Sequence, residues 1–448
     1  MHLPFLFWLL LITQLLSAQS FTEAPGISLT GRLYSSIAFA DIDRDGDEDL
    51  VIFDDGSTKL YTNDGSGNFT EKANSNLVGV SDGSIAFSDV DRDGDQDLVI
   101  CGYGNFSSIA QVNQITELYT NDGEGNFTGT GYNNADGIGN DNFTGVYRSS
   151  IAFSDIDRDG YEDLVISGID ASRKGVTKLY TNDGSGNFTE KANSSLIGVS
   201  DGSIAFSDVD RDGDQDFLST GKDFEGQGVT QIYINDGEGN FTEPENSNLA
   251  EVLYSSIAFS DADRDNYPDL LLLSGQSQWD SPPLTKLYTI NSEGQFAELS
   301  LDNPLPGADG NVAISDGNEN GQLAIYLSNG KTSNLYQYNA NTETLTELTD
   351  NTIEGVAGGS ALFADLDRDG DQDLVITGSS DQGPISKIYL NDGNFHFSEA
   401  NRIDLPDLEI SSVTFMEGND NHDPYLIITG NSDPRKPTTL LRVYSIQQ

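Results

Sequence analysis

The chain has 448 residues, with 73 acidic against 22 basic side chains and a formal net charge of −51. Such a surface repels phosphate backbones and excludes nucleic acid as a partner. Its single cysteine, Cys101, excludes an intrachain disulfide, and beyond the apolar start no segment has the length that spans a bilayer.

In chain order, the first element is the apolar stretch MHLPFLFWLLLITQLLSAQS. Its length and the small Ser17 and Ala18 before a polar residue predict a secretory signal peptide over residues 1–19, although no Lys or Arg opens it. The expected location is secreted, extracellular or at the cell surface. Residues 20–448 follow as a single domain. Its opening segment, FTEAPGISL at 21–29, matches FTEKANSNL at 69–77, which stands at the end of a longer unit.

That unit repeats. A loop of the form Asp-x-Asp-x-Asp-Gly-x-x-Asp starts at Asp41 and returns at Asp89, Asp155, Asp208, Asp261 and Asp365, with degraded copies at Asp316 and Glu417. The starts lie 48 to 66 residues apart, a period typical of propellers, solenoids and arrays. Each loop sits between short apolar runs, such as SIAFS at 84–88 and DLVIC at 97–101. A third run centred on Leu118 and Tyr119, an Asn-Asp-Gly turn and a fourth run at NFTG complete the unit. Runs of this length, rich in Ile, Val, Phe and Tyr and bounded by Gly, Asn and Asp, read as strands, and the Asn-Asp-Gly as a hairpin turn. Helical periodicity is missing throughout the mature chain. The fold class is all-β, a β-propeller of four-stranded blades.

The last unit offers strands at 411–415, 425–429 and 440–445 and no fourth. Residues 21–29 supply it and close the ring, which removes an open sheet edge. The count is then eight blades; seven is the alternative if one weak unit, at 316 or 417, is not a blade. Lys59–Asp97 and Lys178–Asp216 are the same segment with two changes, so a unique catalytic constellation is not expected there.

The six fuller loops carry the chemistry. Four carboxylates within nine residues need a cation to offset their repulsion. Side chains at positions one, three and five can converge on one ion, the carbonyl of position seven can join, and the Asp at position nine closes the shell. The expected sets are Asp41, Asp43, Asp45, Asp47 and Asp49; Asp89, Asp91, Asp93, Asp95 and Asp97; and Asp155, Asp157, Asp159, Tyr161 and Asp163. They continue with Asp208, Asp210, Asp212, Asp214 and Asp216; Asp261, Asp263, Asp265, Tyr267 and Asp269; and Asp365, Asp367, Asp369, Asp371 and Asp373. Hard oxygen ligands in a flexible loop suit calcium, about six ions in all. In the fifth set Asn266 replaces the glycine and still tolerates the left-handed conformation. The loop at Asp316 has lost its final Asp and is expected to bind weakly or not at all; none is assigned at 417–423.

SIAFSDVDRDGDQDLVI at 84–100 and LYTNDGSGNFTE at 60–71 resemble the FG-GAP and VCBS-type repeat, known from integrin α-chain propellers and many secreted bacterial proteins. The resemblance covers essentially the whole mature chain. It implies a propeller with calcium in hairpin loops on one face, and it is compatible with adhesion modules, glycan-binding lectins and scaffolds of polysaccharide lyases.

Loops from strand one to two and from three to four share a face and hardly vary between units. Loops from strand two to three and between blades share the other and vary in length. Variable loops on a rigid scaffold are where binding resides. Tyr103, Phe106, Tyr132, Tyr147 and Trp279 fall there and would suit a sugar ring or a partner protein, or else pack their own loops. The expected function is a secreted, calcium-stabilised module for adhesion or for binding an extracellular protein or glycan. A lyase-like, polysaccharide-active enzyme is the alternative. It is disfavoured because the two histidines of the mature chain, His396 and His422, fall on the calcium side, and no catalytic residue is assigned.

Overall fold

The computed structural model describes residues 20–23, 36–54, 56–65, 68–73, 75–104, 114–130, 143–192, 196–244, 247–278, 281–301, 304–308, 311–315, 321–329, 332–400, 405–416, 425–431 and 439–447. The expected signal peptide, the degraded loops at Asp316 and Glu417, and Phe106, Tyr132, Trp279 and His422 lie outside them.

The described strands form eight four-stranded antiparallel sheets, the blades of a propeller. Blade two shows the pattern, with strands Val80–Ser88, Asp97–Gly104, Gln114–Thr120 and Thr128–Gly129. The second strands number the blades one to eight: Asp49–Asp54, Asp97–Gly104, Asp163–Ile169, Asp216–Lys222, Leu270–Gln276, Gln322–Ser328, Asp373–Ser380 and Tyr425–Asn431. Blade eight takes its outer strand from the start of the chain: Ser20–Glu23 pairs antiparallel with Thr439–Gln447, in register from Ser20↔Gln447 to Glu23↔Tyr444. Among the described residues no helix is long and apolar enough to cross a membrane.

The second strands read as unbroken apolar runs because both their faces are buried. Successive side chains point to opposite faces of a strand. Leu98 and Ile100 pack toward blade one, against Ile42, Val51 and Phe53. Val99 and Cys101 pack toward blade three, against Leu164, Ile166 and Tyr180. One such cluster fills each gap between successive blades, and the last joins the ends of the ring, with Leu50, Ile52 and Phe69 of blade one against Tyr425 and Ile427 of blade eight. Cys101 behaves as a small buried hydrophobe; burial pushes its thiol up to about 12, well out of the nucleophilic range.

Five first strands carry a register irregularity near their start, at Ser81/Ser84, Tyr147/Ser150, Leu253/Ser256, Ala357/Ser360 and Glu409/Ser412. These bulges place Asp82, Arg148 and Tyr254 at φ of 49°, 50° and 50°, and Asp201 at the same place in blade four has φ 53°. The irregularity sits on the face opposite the acidic loops.

Candidate functional site

Each acidic loop joins the first strand of a blade to its second, and its backbone is held by its own carboxylates. One oxygen of the position-one Asp accepts from the position-six amide: Gly46 to Asp41 at 3.1 Å, Gly94 to Asp89 at 3.1 Å, Gly160 to Asp155 at 2.9 Å and Gly213 to Asp208 at 2.9 Å. Asn266 to Asp261 at 2.7 Å and Gly370 to Asp365 at 3.0 Å complete the series. The position-five carboxylate accepts from the position-seven amide, as from Asp47 to Asp45 at 3.0 Å and from Tyr161 to Asp159 at 2.8 Å. These bonds leave the other oxygens to gather. In at least five loops three carboxylates bring one oxygen each within 4.8 Å of the others: Asp41, Asp43 and Asp45; Asp89, Asp91 and Asp97; Asp155, Asp157 and Asp163; Asp208, Asp210 and Asp212; Asp261, Asp263 and Asp265.

The convergence has a cost that the described protein atoms do not offset. The Oδ1 atoms of Asp41, Asp43, Asp89, Asp155, Asp210 and Asp367 are buried without a hydrogen-bond partner. An orphaned buried acceptor costs about 1–3 kcal/mol, and more when charged. Burial, followed by the neighbouring carboxylates, raises the pKa of Asp43, Asp157 and Asp210, and brings Asp367 to about 6. The donor set is all hard oxygen, and these atoms fit a hard divalent cation.

The position-nine Asp has a second task. Asp97 accepts from Val90 N at 3.0 Å and from Asn121 N at 2.8 Å, which ties the loop to the end of the third strand. Asp49, Asp163, Asp216 and Asp373 repeat both bonds with their own loops and with Asn63, Asn182, Asn235 and Asn391. All five are almost fully buried, and burial pushes Asp49, Asp97, Asp163 and Asp216 up to about 7 and Asp373 to about 8. In the fifth blade Ile290 occupies the place of that Asn, and the Asp269 carboxylate accepts from Ala262 and Asp263 within its loop and lies 3.6 Å from Arg211 of the preceding one.

In the second to fifth loops the position-seven side chain turns toward the arginine at position four of the preceding loop. Asp95 pairs with Arg44 and Asp214 with Arg158, while the guanidinium of Arg92 lies 4.2 Å from the Tyr161 ring centre and that of Arg211 4.9 Å from Tyr267. Arg211 also pairs at 2.6 Å with Asp265, so a cation of the protein enters the fifth set. The sequence reading missed these arginines; their repetition at position four was the available signal.

On the opposite face Tyr103 and Tyr147, from blades two and three, meet edge-on with ring centroids 5.7 Å apart. Arg148 pairs with Asp201 at 3.4 Å, and the left-handed residues are linked through their backbones, Asp201 N to Arg148 O at 3.3 Å and Tyr254 N to Asp201 O at 3.0 Å. Tyr103 and Tyr254 are over a third exposed, and Phe224, in the next turn outward, lies 5.3 Å from Lys174. His396 lies in the turn between the third and fourth strands of blade seven, 3.3 Å from Asp392, on the side of the acidic loops as expected.

No curated protein matches the chain. Among solved structures the Dos1 propeller aligns over 95% of both chains at 11% identity with a TM-score of 0.50, a likeness of fold. A lectin from Agrocybe aegerita, described as recognising non-reducing terminal N-acetylglucosamine, aligns over 83% of this chain and 79% of its own at 16% identity, TM-score 0.42. BBS1N in complex with ARL6DN aligns over 96% and 97% at 11% identity, TM-score 0.42. The FG-GAP-like repeat profile matches four overlapping segments, 41–100, 89–166, 155–219 and 208–272. Together they span just over half of the 448 residues, so the chain belongs to the FG-GAP-like repeat family.

Proposed function

We propose that this protein is an exported, calcium-stabilised propeller that binds a glycan or protein on the face opposite its acidic loops. Calcium is supported by one observation above the others: in the loops at Asp41, Asp89, Asp155 and Asp208 a buried carboxylate oxygen at position one or three has no partner, at the point where neighbouring carboxylates converge. The residues that would hold the ion are the Asp side chains at positions one and three, joined by position five in the loops at Asp41, Asp208 and Asp261 and by position nine in those at Asp89 and Asp155. In the other loops the position-nine Asp, already gripped by two amides, supports them. Bound calcium would neutralise the loops and tie first strand to second, so its role is structural. Export is supported by the apolar, signal-like start of the sequence.

The binding face is supported by Tyr103, Tyr147, Arg148, Asp201 and Tyr254. Two aromatic rings beside a donor–acceptor pair present the groups that recognise a sugar ring and its hydroxyls. Three linked residues on this face hold left-handed backbone without being glycine, which costs energy and is kept where the surroundings over-determine it. Calorimetric titration with calcium tests the first part: saturable binding of several ions is expected, and heat no larger than that of dilution would refute it. An array of printed oligosaccharides, probed with the calcium-loaded protein, tests the second.

A further inference from the structure

We propose that the first four acidic loops are coupled along the ring, each after the first positioned by the loop before it, so that an ion bound in one raises the affinity of its neighbour. The inference rests on the calcium reading above. Arg44, at position four of the first loop, donates to the carbonyls of Asp93 and Gly94 in the second and pairs with Asp95. Arg158 repeats this on Asp212 O at 2.7 Å and on Asp214. Arg92 covers the ring of Tyr161 in the third loop. The position-six glycines are the docking points. A Cβ on Gly94, Gly160 or Gly213 would lie 2.7, 2.8 or 2.8 Å from Nη2 of Arg44, Arg92 or Arg158. The φ near +90° calls for glycine there, and a Cβ would also push the guanidinium aside.

A second grip runs the other way. Asn121 donates its backbone N–H to Asp97 of its own loop and its side-chain amide to Ile42 O of the preceding one, at 2.8 Å. Asn182 does the same to Val90 O and Asn235 to Ile156 O, both at 2.8 Å. Lys191 adds a bond to Glu238 O in the next blade's turn, at 2.6 Å. The chain of contacts has ends. A Cβ on Gly46 or Gly370 would meet nothing within 4 Å, so among the described residues no guanidinium crowds those two glycines as it does Gly94, Gly160 and Gly213. Ile290 replaces the bridging Asn in blade five. Among the described residues, loops one to four therefore form an unbroken run of these paired contacts, and the loop at Asp365, four blades on from the third, lies outside that run.

An ion that orders one loop fixes its position-four arginine and position-two carbonyl, which are the groups gripping the next loop. The second ion then meets a partly ordered site and its ordering cost falls. Arg44, Arg92 and Arg158 are positioning residues, since their closest grips on the neighbouring loop are its backbone carbonyls and its position-seven side chain.

Tyr161 makes the coupling readable, because tyrosine sensitises the emission of bound terbium, a calcium stand-in. In a Tyr267→Phe background Tyr161 is the remaining position-seven tyrosine of the six loops. Asp91→Ala, which damages the second loop only, is expected to raise the terbium midpoint at the third by about fivefold or more. Arg92→Gln is expected to act likewise, and Arg92→Lys, which keeps a cation over the ring, to recover part of the affinity. Asp367→Ala, an equal lesion in a loop outside that run and not adjacent to the third, is expected to leave the midpoint in place. Equal shifts from Asp91→Ala and Asp367→Ala, or none from either, would overturn the coupling while leaving the metal reading intact. Absence of sensitised emission from the parent protein would remove both.

Discussion

Phe69, in the outer strand of blade one, meets Tyr425, in the second strand of blade eight, edge-on, with ring centroids 6.3 Å apart. Residues separated by most of the chain thus share one core cluster, and the ring is closed by side-chain packing as well as by the Ser20–Glu23 strand. The two closures should fail differently. Phe69→Ala opens a cavity in a packed gap and should cost about 3 kcal/mol, seen as a lower melting temperature in a protein that stays monomeric. A chain starting at residue 24 should leave Thr439–Gln447 as a bare edge and self-associate. Light scattering and thermal unfolding distinguish the two. A monomeric truncation with the parent melting curve would mean that the first strand contributes nothing.

Positions three and nine of a loop should respond differently to calcium. Asp91 sits among like charges and Asp97 between two backbone amides. In excess chelator Asp91→Ala should be neutral or mildly stabilising, since it removes repulsion. Asp97→Ala should cost about 2–4 kcal/mol, because Val90 N and Asn121 N lose their acceptor. In calcium both should destabilise. Chelation of the parent protein should itself lower the melting temperature, through mass action on several sites. If Asp91→Ala destabilised the chelated protein as much as the calcium-loaded one, position three would be structural and not a ligand.

Acidity should act in opposite senses with and without the ion. Asp49, Asp97, Asp163 and Asp216 have folded-state values of about 7, and Asp373 of about 8. An unfolded Asp titrates near 3.9. Between these values the folded metal-free protein holds protons that the unfolded chain has released. Its stability is therefore greatest below about pH 4 for these groups and is lost as pH rises through 7 to 8. Calcium needs the deprotonated carboxylates, so the gain in melting temperature from calcium over chelator should widen from pH 5 to pH 8. A chelated protein whose melting temperature rose over that range would contradict the assignment.

The repeat made much of this architecture legible. Turn residues and apolar runs bounded the strands, and the orphan FTE segment at the start placed the ring closure correctly. The six loops were legible because alternate Asp residues leave no packing explanation. What stayed hidden lies in contacts between units. Arg44, Arg92 and Arg158 went unnoticed, since periodicity within a blade carries no information about where a long side chain goes across a gap. The left-handed Arg148, Asp201 and Tyr254 carried no glycine or asparagine to announce them. The second task of the position-nine Asp depends on an Asn some twenty residues later, as with Asp163 and Asn182, and that spacing is set by hairpin geometry.

Tyr254 and Arg148 offer the sharpest test of the binding face. Each holds a conformation that disfavours a side chain, at φ of 50°, and Tyr254 is more than a third exposed. Left-handed backbone costs a non-glycine residue about 1–2 kcal/mol. If that strain is kept for a ligand, removing it should separate stability from binding. Tyr254→Gly should therefore raise the melting temperature, or at least hold it, while reducing retention on whichever oligosaccharide the parent protein binds on an array. Arg148→Gly should show the same loss of binding with a smaller stability gain, because Asp201 gives up its ion pair. Tyr103→Ala, which removes one ring of the edge-on pair with Tyr147, should weaken binding without changing the calcium midpoint. Unchanged binding in Tyr254→Gly and Arg148→Gly, with loss of binding in Asp91→Ala while the fold persists, would move the ligand to the face of the acidic loops. An array on which the calcium-loaded parent protein retains nothing would instead leave a protein partner as the remaining reading of this surface.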